Sequence, residues 1–418
     1  MLQPQHQYIT SNSSTGTPVC KERGQGFLGL VGFMENKMLL LACLLVYYLL
    51  AFTSNSLQGL SFFSLKQGKI LENLSICSKI NFIRYTQEGK KLGDDPKLSI
   101  EDLTFQEVPV RVYQPAGSRP DQRRRGVVYF HGGGWMFGSI NSYDHVCRYL
   151  AKESDSVIVS VGYRLAPEEK YPSQFQECLA ASMHFIKAAK DYGVDPSRII
   201  ICGDSVGGNL TASVCQALAS TADLTRPLAQ VLIYPGLQAI DFNLPSYQQN
   251  QAVPILYREH VICAALQYLN KDLSVLESVV QGCHVPSDIK KRFAKWISSE
   301  NIPDEFKVRG YKPPSTSSFV DDVHEVVKQA LETTFSPLMA EDAIIRQLPK
   351  ACIITCEYDV LRDDGILYKK RLEENGVPVT WFHIEDGFHG VINLFDGFLS
   401  FPSGKKVVDS IVAFLKDL

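Results

Sequence analysis

Two glycine-rich runs carry the residues whose types and spacing can do chemistry: His131-Gly132-Gly133-Gly134-Trp135 and Gly203-Asp204-Ser205-Val206-Gly207-Gly208. In the second, a serine stands between two glycines at the spacing of a nucleophile presented on a sharp strand-to-helix turn. A Cβ on either side of such a turn collides with the neighbouring chain. In the first, consecutive glycines let backbone N–H groups close on a ligand, which a developing oxyanion requires. Read alone, one run is a flexible glycine loop and the other a turn capping a helix. The flanks favour chemistry. Gly126-Val127-Val128-Tyr129-Phe130 leads into the first run, and Arg198-Ile199-Ile200-Ile201-Cys202 reads as a buried strand entering the serine turn. Asn209 to Ala219 then reads as a helix of small residues fit to pack closely on a sheet. The chemistry implied is acyl transfer to a serine.

An activated serine needs a base and an acid, which on a strand–turn–helix scaffold follow it in the order acid, then histidine. Two histidines, His383 and His389, lie downstream of a plausible acid. His383 sits inside Val379-Thr380-Trp381-Phe382-His383-Ile384, a strand pattern opened by Pro378, and reads as structural or half-exposed. His389 falls in the glycine-flanked loop Asp386-Gly387-Phe388-His389-Gly390, where a base at the top of a sheet belongs. For the acid, Asp359 follows the apolar strand Ala351–Cys356. Asp363 is the main alternative. With Asp364 it stands at the entrance to the next helix, where acidic residues favour the N-terminus and need no further role. Glu357 reads as an exposed carboxylate at the strand end.

These residues need a scaffold. Strand patterns at Glu107–Tyr113 (an edge), Gly126–Phe130, Val157–Tyr163, Arg198–Cys202, Ala229–Tyr234, Ala351–Cys356 and Val379–Ile384 alternate with helical ones such as Phe175–Tyr192, Leu367–Glu374 and Lys405–Asp417. That alternation predicts an α/β fold: a mostly parallel central sheet with helices on both faces. Asp241 to Leu338 breaks it, rich in Pro, Ser and charge, with helix-like pieces at Ala252–Leu273 and Val323–Glu332. An excursion of this length is functional or an added subdomain. It reads as a helical cap over the serine, shared with residues after the amino-terminal apolar run, or as a purely structural insertion.

Composition excludes several classes. A formal net charge of −3 and a pI near 6.3 leave no electrostatic footprint for nucleic acid. Arg123-Arg124-Arg125 follows Pro120-Asp121 and reads as a solvated turn. Eleven cysteines, scattered and without a C-x-x-C pair, suggest neither a disulfide scaffold nor zinc, and leave room for one or two bridges. The sequence has no internal repeat and specifies no oligomeric state.

The amino terminus divides the chain further. Residues 1–37 form a polar extension. Residues 38–54, with the uncharged run Met38 to Phe52, are expected to be a signal-anchor transmembrane helix. The run is short against the roughly twenty residues of a typical span. A cleaved signal peptide, with Ala51, Thr53 and Ser54 as small residues at the cut, and a buried or surface helix are the other readings. Lys21, Arg23 and Lys37 before it favour a cytosolic amino terminus, with the remainder across the membrane. Asn73-Leu74-Ser75 would then be an exposed glycosylation acceptor. Asn209-Leu210-Thr211 should be inaccessible, and Asn12-Ser13-Ser14 cytosolic. Residues 55–104 are expected to be linker and the first part of the cap, and 105–418 the catalytic domain with its insertion at about 241–338.

The two glycine runs, Tyr163-Arg164-Leu165-Ala166-Pro167-Glu168, Asp359-Val360-Leu361-Arg362-Asp363 and Asp386-Gly387-Phe388-His389-Gly390 together resemble the hormone-sensitive-lipase group of α/β hydrolases. Within it the chain is similar to the arylacetamide deacetylase family, in its arylacetamide deacetylase-like 3/4 branch, from about Leu39 to the end. The resemblance implies a single-pass type II protein of the endoplasmic reticulum membrane with a lumenal catalytic domain. It implies hydrolysis of carboxylic esters and, in some members, of amides such as acetylated arylamines. Carried over by position, Ser205 is the nucleophile, Asp359 the acid and His389 the base, with Gly132, Gly133 and Val206 as oxyanion donors. Some relatives have a Cys directly after the glycine–Trp run, able to bridge one near the acid loop. Here that place is Met136, which leaves Cys356 without that partner. The mechanism expected is a two-step acyl transfer without metal or organic cofactor, on a small hydrophobic ester or amide. Xenobiotic esters or amides and neutral-lipid esters both stay open as substrates. The rival reading is a catalytically silent ligand-binding protein on the same fold.

Overall fold

The computed structural model describes residues 68–73, 76–89, 92–117, 123–221, 224–253, 255–313, 317–397 and 399–418. In chain order they form α1 (Lys79–Gln87), β1 (Leu98–Phe105), β2 (Val108–Pro115), β3 (Arg124–Phe130), α2 (Asp144–Ser154), β4 (Ser156–Val161), α3 (Ser173–Ala188), β5 (Val194–Asp204), α4 (Val206–Ala219), β6 (Ala229–Ile233), α5 (Arg258–Tyr268), β7 (Lys350–Tyr358), α6 (Arg362–Glu374), β8 (Val379–Phe388) and α7 (Pro402–Lys416), with shorter helical turns between them. The extension 1–37 and the apolar segment 38–54 lie outside the described residues. Among the described residues no helix is long and apolar enough to cross a membrane.

The strands make one eight-stranded sheet in the order β1-β2-β4-β3-β5-β6-β7-β8. The β1–β2 and β2–β4 pairs are antiparallel and every other pair is parallel. β4 and β6 are buried at every position, as a parallel sheet covered on both faces demands. Alternate residues serve opposite faces. Val128 and Phe130 join the cluster that holds Phe185 of α3, Leu210 of α4 and Leu367 of α6. Val127 and Tyr129 join the one that holds Leu150 of α2 and Ile411 of α7.

Two expectations need correction here. The edge strand is β1, not the Glu107–Tyr113 segment, because Gln106 and Glu107 both take positive φ (49° and 69°) and turn the chain into a hairpin. Along β1 the apolar residues Leu98, Ile100, Leu103 and Phe105 change phase at Glu101-Asp102, so the period-two signal is lost. Arg124 and Arg125 are not a solvated turn but open β3. Arg124 pairs with Asp155 at 2.8 Å, and Arg125 donates to the carbonyls of Ser154 and Leu415 at the ends of α2 and α7.

The excursion emerges between β6 and β7 and packs into the same apolar cluster as the sheet, through Tyr247, Ile262, Tyr268, Phe293, Trp296 and Phe335 among others. Its helix-like stretches are realised as α5, and as Asp321–Val327 with a 3-10 turn over Lys328–Leu331. Asp363 and Asp364 stand in the first turn of α6, yet both are fully buried and anchor this insertion. Asp364 accepts Leu237 N–H at 2.8 Å, and Asp363 accepts Ser246 N–H at 2.7 Å. Burial pushes the Asp364 carboxyl up to about 7. At the far end Arg371, also buried, donates to the carbonyls of Leu338 and Ala340. The acidic pair therefore does more than favour a helix terminus.

Candidate active site

β5 ends at Asp204 and α4 begins at Val206, so Ser205 is the whole turn between them. It takes φ 57° and ψ −120°, a conformation that L-residues adopt rarely and that survives only under tight packing. The packing leaves no room for side chains beside it. A Cβ on Gly203 would sit 2.3 Å from Gly207 O, and one on Gly207 would sit 2.0 Å from Phe130 O. Those contacts explain the glycine spacing, and Ser205 N–H donating to Ile233 O at 2.8 Å closes the turn.

His389 follows the end of β8 and lies against the ring of Tyr234, with centroids 4.8 Å apart. Its Nε2 is 2.8 Å from Ser205 Oγ, and its Nδ1 is 2.8 Å from Asp359 Oδ2. Asp359 stands just past β7, fully buried. Its second oxygen accepts Leu361 N–H at 2.8 Å, and its own carbonyl accepts from the Asn250 side chain. With the carboxylate on Nδ1, the imidazole holds its proton there and offers a free Nε2 to the hydroxyl.

The rivals go elsewhere. Asp363 is engaged by Ser246 and Arg362. Glu357 is only part-exposed, not the open strand-end carboxylate expected, and binds Arg309, Arg362 and His383. Burial alone would raise its pKa, but His383 and the two guanidiniums hold it down to about 2.

The glycine loop is fixed carbonyl by carbonyl. His131 Nδ1 lies 2.8 Å from Gly132 O, while Gly133 O accepts the N–H groups of Met136 (3.1 Å) and Phe137 (2.8 Å). A trans peptide sends its N–H opposite its C=O. The bond on Gly132 O therefore aims the Gly133 N–H, and the bonds on Gly133 O aim the Gly134 N–H. Gly133 takes φ 119°, and a Cβ there would lie 2.2 Å from Phe137 O. Burial takes His131 down to about 4, which keeps the ring neutral. Tyr163 stacks on it at 4.3 Å and donates to His131 O at 2.7 Å.

One expected donor is displaced. Gly132 N–H donates to Asp204 Oδ1 at 2.9 Å, so it is not open to a substrate oxygen. Asp204 is buried and accepts this N–H and the hydroxyls of Tyr129 (3.0 Å) and Tyr143 (2.8 Å), and burial lifts it to about 6. Among the described residues, no hydrogen bond engages the N–H of Gly133, Gly134 or Val206. The donors left unclaimed thus include Gly133, Gly134 and Val206. The sequence held the signal: a carboxylate directly before the serine has to find donors, and the glycine loop is the nearest source.

The excursion closes over this arrangement. Ser205 and His389 keep only 7% and 6% of their surfaces exposed. A Cβ at Gly134 would meet Ala264 of α5 at 3.4 Å, and one at Gly390 would meet Ile255 at 3.7 Å. Trp135 stacks on Tyr268 at 4.4 Å and lies tilted against Phe335 at 5.3 Å. A polar cavity of about 500 Å³ bounded by Arg123, Arg124, Arg125, Asp155 and Arg198 opens at the amino-terminal ends of the parallel strands, remote from Ser205. Met136 and Cys356 are both buried. Among the described residues no cysteine is bridged, so Cys356 is free. Asn209 and Thr211 are buried as expected of a sequon on α4.

Comparison with known proteins supplies relatives. A family model described as the α/β hydrolase fold matches residues 127–292 and 299–393. The chain is 47% identical to human (Homo sapiens) arylacetamide deacetylase-like 4 over 354 residues, which covers 84% of this chain and 86% of the relative. It is 39% identical to mouse (Mus musculus) neutral cholesterol ester hydrolase 1, covering 80% and 84%. Among solved structures, an esterase from Pyrobaculum calidifontis superposes with a TM-score of 0.62 at 27% identity, covering 84% of this chain and 96% of that one.

Proposed function

The chain belongs to the arylacetamide deacetylase family of α/β hydrolases, and on that premise we propose that it cleaves carboxylic esters through an acyl-enzyme formed on Ser205. The observation that carries this reading is the hydrogen-bonded series Ser205–His389–Asp359, ending beside three unclaimed N–H groups. His389 Nε2 takes the proton of Ser205 Oγ as the oxygen attacks the ester carbonyl. Asp359 keeps the ring in the tautomer that can do so and stabilises its charged form. The Gly133, Gly134 and Val206 N–H groups receive the oxyanion, already aimed and desolvated before the charge develops. Collapse expels the alcohol, protonated by His389. Water then attacks the acyl-enzyme with His389 as base and frees the acid and Ser205.

The substrate class is a small hydrophobic ester or amide. The apolar excursion over the serine and the names of the relatives, one a deacetylase-like protein and another a cholesterol ester hydrolase, support that choice. Arylacetamides and neutral-lipid esters are its two branches. The uncharged run 38–54, with lysines and arginine on its amino-terminal side, supports a type II anchor in the endoplasmic reticulum membrane and a lumenal hydrolase domain.

The test is fluorophosphonate labelling of wild type and Ser205→Ala in membranes, before and after carbonate extraction. Serine-dependent label in the resistant pellet is the expected result. Absence of label in folded protein would favour a silent binding protein, and label released by carbonate would remove the anchor.

A further inference from the structure

Carbonyls along the glycine loop are held from within the hydrolase domain itself, and one just past it is not. Tyr163 holds His131 O, His131 holds Gly132 O, and the backbone N–H of Ala166 holds Trp135 O at 2.9 Å. Met136 O is held from outside the sheet. Its donor is Arg84 Nε at 2.8 Å, on α1, before the first strand. The same guanidinium donates through Nη2 to Ala166 O at 2.6 Å, and grips both oxygens of Glu168 at 2.9 Å. Arg84 therefore clamps the glycine loop to the loop that carries Tyr163 and Ala166, and Glu168 fixes the fork in position. A planar guanidinium can satisfy these acceptors together, whereas an ammonium cannot hold the same geometry.

α1 is built to hold this residue still. Ser78 caps it by accepting Asn81 N–H at 3.1 Å, and Phe82 and Ile83 are buried on its inner side. Just past its end, Glu88 accepts through its carbonyl from Ser139 Oγ (3.3 Å) and through Oε1 from Asn141 Nδ2 (3.1 Å). Glu168 stays ionised through the bond to Arg84, which keeps its carboxyl below the usual carboxylate range.

We propose that Arg84 is a positioning residue for the oxyanion loop, so that the segment leading out of the amino-terminal region sets the alignment of the Gly133 and Gly134 N–H groups. The inference rests on the acyl-enzyme reading above. Met136 N–H donates to Gly133 O, and the carbonyl of the same residue is what Arg84 grips. A shift of Met136 thus passes directly to the Gly133–Gly134 peptide plane. Misalignment of such donors by well under an ångström lowers turnover while leaving ground-state binding nearly intact.

The experiment uses the full chain in membranes, with Arg84→Ala, Arg84→Lys, Glu168→Gln and Ser205→Ala. Active sites are first titrated to completion with a fluorophosphonate, and p-nitrophenyl ester turnover is then expressed per titrated site. Arg84→Ala is expected to lower kcat about tenfold or more with KM within about twofold. Arg84→Lys should fall between it and wild type, and Glu168→Gln should lose less than Arg84→Ala. A merely structural role would reduce the number of titrated sites and the thermal midpoint but leave turnover per site unchanged. Should Arg84→Ala fail to fold, Arg84→Lys decides, because a lysine that turns over like wild type overturns the proposal. Arg84→Ala at wild-type kcat beside an inactive Ser205→Ala also overturns it and leaves the acyl-enzyme reading standing. An active Ser205→Ala overturns that reading itself.

Discussion

Two hydroxyl–imidazole–carboxylate sets draw their imidazole and carboxylate from the β7–β8 edge of this sheet. In one, Ser205, His389 and Asp359 are joined by contacts of 2.8 Å and 2.8 Å. In the other, Thr355 Oγ1 is 3.0 Å from His383 Nδ1, and His383 Nε2 is 3.3 Å from Glu357 Oε2. The side-chain types nearly match, yet the second set has no route to the same chemistry. Its ring is turned round, with the carboxylate on Nε2. Thr355 is fully buried within a strand and already accepts Trp381 Nε1–H at 2.9 Å. Glu357 answers to two arginines as well as the imidazole. Thr355 lies in mid-strand, whereas Ser205 stands at a strained turn beside a loop of unclaimed N–H groups. Residue type alone does not make such a site. Position at a strand end and free backbone donors do.

The largest effects should fall on the first set alone. Ser205→Ala and His389→Ala are each expected to lower kcat by about 10⁴-fold or more, measured on a p-nitrophenyl ester. Asp359→Asn should cost about 10³- to 10⁴-fold, because an amide no longer selects the Nδ1–H tautomer. Thr355→Val and His383→Gln should leave kcat within about threefold. A loss comparable to the first set would break the contrast.

The carboxylates sharpen it through pH. Asp204 is raised to about 6 in the fold, against an ordinary value of 3.8. Between these values the folded state holds a proton that the unfolded chain releases, so this group makes stability fall as pH rises from about 4 to 6. The span corresponds to a cost on the order of 3 kcal/mol, fully present above pH 6. Asp204→Asn should flatten that part of a denaturation-midpoint profile, and an unchanged slope would contradict the assignment. Glu357 has the opposite sign. Held at about 2, it contributes stability present above about pH 4.5 and lost as pH falls through 2. Glu357→Gln is expected to destabilise at neutral pH by about 1 kcal/mol or less, since solvent screens the partly exposed cluster. The gap to wild type should close in acid.

Much of this was legible in the sequence. The buried strands β3 to β7 announced themselves as apolar runs and β8 as a strand pattern opened by Pro378, and chain order with glycine flanks separated His389 from His383 before any distance was known. Three features were not. β1 hides because Glu101-Asp102 breaks its alternation. The identity of the free N–H groups hides because Gly132 looks like its neighbours until Asp204 folds onto it. The use of Asp363 and Asp364 hides because their partners, Ser246 and Leu237, are distant in sequence, and a helix-entry reading accounted for both charges locally. Each miss concerns a partner supplied by tertiary contact, which local pattern does not encode.

The most direct test of the central claim is to locate the covalent adduct. Folded full-length protein is treated with a fluorophosphonate, digested, and mapped by peptide mass spectrometry. The account predicts one phosphonyl group, on the peptide carrying Gly203-Asp204-Ser205-Val206-Gly207 and on Ser205 itself, with Thr355 unmodified. An adduct on any other residue, or none at all in protein that unfolds cooperatively, would contradict it.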